Sequence, residues 1–130
     1  MAWCFEDEQT ADTDHILNIF PQGLVAHVPS LWRYEALNVL LLAQREGRIS
    51  PNDAASIWSK LQALPIKIDE LKTNALWTET FRFAQTYKLT IYDAAYLELA
   101  TRRGSALATL DKQLRAAAIS AGIELIPKDT

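Results

Sequence analysis

Three acids stand where carboxylates could act together. "TIYDAAYLELA" (Thr90 to Ala100) carries Asp93 at the head of a strongly apolar helix, and "ATLDKQL" puts Asp111 just after a short apolar run. Glu35 opens "EALNVLLLA", apolar nearly all round from Ala36 to Ala43, the pattern of a buried helix. Carboxylate oxygens can serve as ligands of hard divalent cations. Each acid also has a purely structural explanation. Thr90-x-x-Asp93 matches a capping box, in which a hydroxyl and an acid three residues later satisfy orphan backbone N–H groups. Ser50-x-x-Asp53 matches it equally well in a turn with no chemical companions. Asp111 can cap the helix that follows it, and Asp69 occupies a similar place after "IKI". Burying an ionised Glu35 alone is costly, so it must meet an arginine, a hydrogen-bond donor or a metal, or else reach solvent. Asn38, one helical turn on, extends Glu35 into a polar notch.

Around these acids the signals are weaker. Arg102, Arg103, Lys112 and Arg115 flank the two aspartates and could hold phosphates there, or form a solvated rim. His15 and His27 have no HExxH-type partner and suit a surface and a strand position respectively. Trp32, Trp58 and Trp77 sit at helical core spacing, which favours packing over base stacking, and Glu6, Asp7 and Glu8 suit a solvated turn. The four glycines are scattered and form no phosphate-cradling loop.

The acids need a scaffold, and turn signals divide the chain into one. Leu24 to Val28 is a short apolar run between Gly23 and Pro29, suited to a buried strand. A helix is predicted from Leu31 to Glu46, capped by Ser30 and closed by Gly47. Another opens at Ser50 with Pro51 in its first turn and runs to Leu64. Ile66 to Ile68 reads as a strand, followed by a helix from an Asp69 cap to about Tyr87 that carries Leu71, Trp77, Phe81 and Ala84. The Thr90 helix runs to Arg103 and Gly104. Ala106 to Thr109 is a strand, Leu114 to Ala121 a helix stopped by Gly122, and Ile123 to Ile126 a last strand. Short apolar strands separated by helices imply a parallel sheet covered on both faces, a three-layer α/β/α fold. Ligands of such sheets gather at the carboxyl ends of the strands.

Composition bounds the rest. One domain over residues 1–130 is expected from the length, the absence of repeats and the absence of a Pro/Gly-rich linker. With 49% hydrophobic and 22% charged residues the chain is that of a globular protein, and no apolar run approaches the roughly 20 residues that span a bilayer. A net charge of -3 argues against a broad phosphate-binding surface, so any nucleic acid must be held locally. The single cysteine, Cys4, rules out an internal disulfide, and without a secretory-type N-terminus the expected compartment is the cytoplasm.

Together, "PSLWRYEALNVLLLA" and "LTIYDAAYLELATRRGSALATLDKQLRAAAISAGIELI" resemble the PIN-domain family, in particular the VapC-like toxin ribonucleases of toxin–antitoxin pairs. The order acid, "AAYLELA", strand, Thr-x-Asp, helix, Gly, strand is the most specific part. The resemblance implies a metal-dependent endoribonuclease using Mg2+ or Mn2+ to hydrolyse RNA. It further implies neutralisation by a small cognate antitoxin, and a homodimer. Glu35 matches the family's helix glutamate, Asp93 the aspartate opening the "DAxYLxLA" helix, and Asp111 the Thr-x-Asp aspartate, with Thr109 as the assisting hydroxyl. In the family a further aspartate ends a first strand just before a segment like "AWCFEDE". Here Met1 stands in that place, so the first, central strand and its acid are expected to be missing. The stretch "MAWCFEDE" is otherwise readable as an amphipathic N-terminal helix. The alternative function is a catalytically impaired PIN-like module that retains partner binding.

Overall fold

A computed structural model describes the backbone of residues 3–5 and, in full, residues 25–128. His15, Glu6, Asp7 and Glu8 lie outside the described residues. The strands are β1 (Trp3–Phe5), β2 (Ala26–Pro29), β3 (Ile66–Asp69), β4 (Ala106–Ala108) and β5 (Leu125–Ile126), in the order β3-β2-β1-β4-β5. The helices are α1 (Trp32–Arg45), α2 (Pro51–Ala63), α3 (Thr73–Ala75), α4 (Phe81–Tyr87), α5 (Ile91–Arg103) and α6 (Lys112–Ser120), with a π-helical stretch, Leu76–Thr80, joining α3 to α4. This is the expected α/β/α layering, and no helix among the described residues is long and apolar enough to cross a membrane.

β2 pairs parallel with β3, from Ala26 opposite Ile66 to Pro29 opposite Asp69, and β4 pairs parallel with β5. The carboxyl ends of these four strands therefore share one edge. The centre departs from expectation: it is filled, and by the N-terminal segment itself. β1 runs antiparallel to both neighbours, with Cys4 opposite His27 of β2 and Leu107 of β4. "WCF" is thus neither an amphipathic helix nor a sign of an empty slot. The facing rims of β2 and β4 present rows of backbone donors and acceptors that must be paired when buried. A short apolar, β-prone tripeptide can pair them in either direction.

The core is built by α5 on the sheet. Ala94 and the run Tyr96 to Ala100 are buried, packed with Ala26, Val28, Leu107 and Ala108. Thr90 caps α5 and Gly104 ends it in the left-handed conformation (φ 64°) that glycine adopts without strain. Two helical expectations fail. α1 buries only Trp32 and Ala36, and Tyr34 is 75% exposed alongside Leu37, Val39, Leu41 and Leu42. An all-round apolar pattern tells that a helix needs cover, not which chain supplies it. The region after β3 is also not one regular helix. Asp69 ends β3 instead of capping, and the π-helical stretch adds a residue per turn that rotates the apolar face. Phe83 and Ala84 face inward as a result, while Trp77 is exposed and stacks on Phe81 at 4.6 Å.

Candidate functional site

At the carboxyl edge, Asp93 lies within electrostatic reach of Asp111 and of Glu35. Burial first, and then the carboxylates of Asp111 and Glu35, push the Asp93 carboxyl above the ordinary aspartate value of 3.8. The two matching sequence motifs part here. At Ser50 the capping box is closed: the Asp53 N–H donates to the Ser50 hydroxyl and the Ser50 N–H donates to Asp53 Oδ2, both at 3.0 Å. Those bonds, from the Ser50 backbone first, hold Asp53 below its ordinary value. At Thr90 only half the box forms, the Asp93 N–H donating to Thr90 Oγ1 at 3.1 Å. Asp93 therefore starts a helix with its backbone, while its carboxylate, lowered only in part by the Thr90 hydroxyl, lies within electrostatic reach of two other acids.

Asp111 is the N-cap of α6, its Oδ2 accepting from the Leu114 N–H at 2.9 Å. A helix N-terminus favours negative charge, so the cap fixes the acid without neutralising it. The Asp111 N–H donates to Thr109 Oγ1 at 3.1 Å, so the buried Thr109 hydroxyl holds the turn that carries Asp111. Arg115 fastens the same corner, donating to the carbonyls of Thr109 (2.9 Å) and Pro127 (2.8 Å) and tying the ends of β4 and β5 together. Glu35 meets a hydrogen-bond donor, one of the outcomes expected of it: the buried Tyr96 hydroxyl donates to Glu35 Oε1. Asn38 is exposed on α1, and no hydrogen bond joins it to Glu35 among the described residues.

The basic candidates divide. Arg102 grips Asp69 through both guanidinium tips (3.1 and 2.7 Å) and Glu98 through Nε (2.8 Å), and Arg103 also binds Asp69, through Nε at 3.0 Å. Lys112 is exposed in the first turn of α6, next to Asp111. Sequence inspection passed over two participants. Glu98, with a 5% exposed side chain, was detectable from its i,i+4 spacing to Arg102. Tyr96 had no local signal, since its partner lies 61 residues earlier.

Among the described residues, no group of three or more His, Cys, Asp or Glu is placed to hold a metal ion. Mg2+ does not require one, because it keeps several waters and is held by one or two carboxylates together with substrate phosphate. Burial is the first cause of the raised Asp93 and its two acidic neighbours come after it, and the three acids offer only carboxylate oxygen. Carboxylate oxygen is the ligand type that a small, hard divalent cation prefers. The acids do not line the small cleft of about 70 Å3 at the ends of β2 and β3, which is bordered by Asp69, Thr80, Glu98 and Arg102.

The PIN domain family model matches residues 2–120 of the chain. The chain is also similar to Ribonuclease VapC3 of Pyrobaculum aerophilum, being 33% identical over 99 residues that cover 72% of this chain and 71% of the relative. The match includes the region from β2 to α6 in which the three acids, their caps and their helix order were found. The chain belongs to the PIN-domain family and is VapC-like.

Proposed function

We propose that the chain is a metal-dependent endoribonuclease that hydrolyses phosphodiester bonds in RNA and is neutralised by a small antitoxin protein. The observation that carries this reading is the placement of Glu35, Asp93 and Asp111 at the starts of three helices on the carboxyl edge of the sheet. In it, Asp93, Asp111 and Glu35 would hold Mg2+ or Mn2+. When bound, such an ion supplies Lewis-acid polarisation of the phosphate and a more acidic water. The remaining work belongs to the chain. α5 and α6 present Asp93 and Asp111 from their first turns, Thr109 and Arg115 keep the Asp111 corner rigid, and Lys112 offers an exposed ammonium to a phosphate beside the acids. Arg102, Arg103 and Arg115 are engaged with protein partners, so Lys112 is the strongest of the four phosphate candidates. A site on open surface suits a polymer better than a small molecule. The exposed apolar face of α1, with Tyr34, Leu37 and Leu41, supports protein partners, an antitoxin or a second copy, since such patches mark interaction sites.

Incubation of the purified chain with structured RNA tests this. Cleavage is expected with Mn2+, is abolished by EDTA and returns when Mn2+ is added in excess over EDTA. Absence of cleavage in every condition contradicts the enzymatic reading. It would favour a second one, a PIN-like binding module without chemistry. One specific observation supports that alternative: β1, at the centre of the sheet, contributes no acid among Trp3–Phe5.

A further inference from the structure

A groove of about 430 Å3 lies between the end of α4 and the surface of α6, with Tyr87 and Lys88 on one wall and Gln113, Ala116, Ala117 and Ser120 on the other. That is a usual volume for a ligand site. Both walls lead to the aspartates. Lys88 stands two residues before Thr90, the cap of α5, and Gln113 two residues after Asp111, the cap of α6. Two residues of chain span at most about 7 Å, so the groove begins beside both helix starts.

Lys88 is the informative residue. It follows α4 in the left-handed conformation (φ 55°, ψ 46°). The other residues with positive φ among those described are Gly47, Gly104 and Gly122, and glycine is the type that takes this conformation without a steric cost. A lysine there is held against backbone preference, which points to a use for its side chain. That side chain is exposed and enters no ion pair among the described residues. Tyr87, next to it, is half-buried against the core with its ring 5.7 Å from that of Phe83, a fixed aromatic surface. Ala116 and Ala117 leave space opposite.

Resting on the reading of the chain as a ribonuclease, we propose that this groove holds one unpaired nucleotide of the RNA beside the acids. Lys88 meets its phosphate, Tyr87 its base, and the Gln113 amide the edge of that base. Single strands are gripped by this combination of cation and aromatic surface. It supplies the local hold that a chain of net charge -3 needs.

The test is fluorescence anisotropy of a labelled single-stranded RNA in EDTA, over a range of salt, for the unaltered chain, Lys88→Gly, Lys88→Arg and Ala116→Trp. Lys88→Gly removes the ammonium and suits the backbone, so its melting temperature is expected not to fall. Loss of one phosphate contact flattens the plot of log affinity against log salt by about 0.7 for a single strand, and so weakens binding about fivefold at about 0.1 M salt. That is the result expected for Lys88→Gly. Lys88→Arg is expected to retain affinity and slope, and Ala116→Trp, filling the groove from an exposed position, to weaken binding at unchanged slope. Unchanged affinity in Lys88→Gly or in Ala116→Trp, or an equal loss in Lys88→Arg, overturns the inference alone. So does an unaltered chain that cleaves RNA with Mn2+ but does not bind it in EDTA. An unaltered chain that neither binds nor cleaves RNA overturns the ribonuclease reading and this inference with it.

Discussion

Asp93→Asn is expected to abolish metal-dependent RNA cleavage, by at least about 100-fold, the upper end of what loss of a mere supporting group costs, while leaving the metal-free protein as stable as before or slightly more so. The two halves of this result come from different atoms of one residue. The helix start depends on the Asp93 N–H, which donates to Thr90 Oγ1 and is untouched by the substitution. The carboxylate, by contrast, is raised above its ordinary value by burial and by Asp111 and Glu35. An acid whose folded value is raised opposes folding once ionised, so its charge costs stability above the folded value and that cost vanishes below the ordinary one. Asparagine keeps the shape and removes the charge. A residue that served only as a cap would behave oppositely, losing about 1 kcal/mol of stability with no change in activity. Urea unfolding and cleavage assays on the same preparation separate the two outcomes.

Arg102→Met is expected to give the largest loss of stability of any single surface-reaching side chain in α5, about 2–3 kcal/mol, read from urea unfolding as a lower midpoint at unchanged slope. The side chains it serves are nearly enclosed, Glu98 at 5% and Asp69 at 9% exposure. Removing one partner of a buried pair costs about 3–5 kcal/mol, and a smaller loss is expected here because the Arg102 side chain is 37% exposed and Arg103 still reaches Asp69. The effect has a pH signature. The Arg102 hydrogen bond, helped by Arg103, holds the Asp69 carboxyl below its ordinary value. Its contribution is therefore present above the ordinary aspartate value of 3.8 and is lost as pH falls through the folded value. Unaltered protein should lose this part of its stability in acid, and the gap to Arg102→Met should narrow there. A constant gap across that range would show that packing of the arginine stem, not the ion pair, is responsible.

Local chemistry in the sequence was enough to bound α5, since Thr90 and Gly104 punctuate it, and to place Asp111 at the start of α6. The order of strands and helices likewise carried the layered architecture. What could not be read was whatever depends on direction or on distant partners. The apolar character of "WCF" marks it for a buried strand without encoding which way it runs, and β1 runs antiparallel. The π-helical stretch shifts the phase of the apolar face, so a regular helical period misplaces Trp77. Asp69 resembled a cap because its partners, Arg102 and Arg103, lie 33 and 34 residues away. Two identical capping motifs could not be told apart until the surroundings of Asp53 and Asp93 were compared.

That comparison also supplies the most direct measurement: a carbon-detected NMR titration of the Asp93 and Asp53 side-chain carboxyls in metal-free protein, repeated with Mg2+. Asp93 should titrate above 3.8 and Asp53 below it, with Mg2+ lowering the Asp93 midpoint and leaving Asp53 unmoved. If Asp93 titrates at or below Asp53 and Mg2+ moves neither, the three acids do not form a cation site.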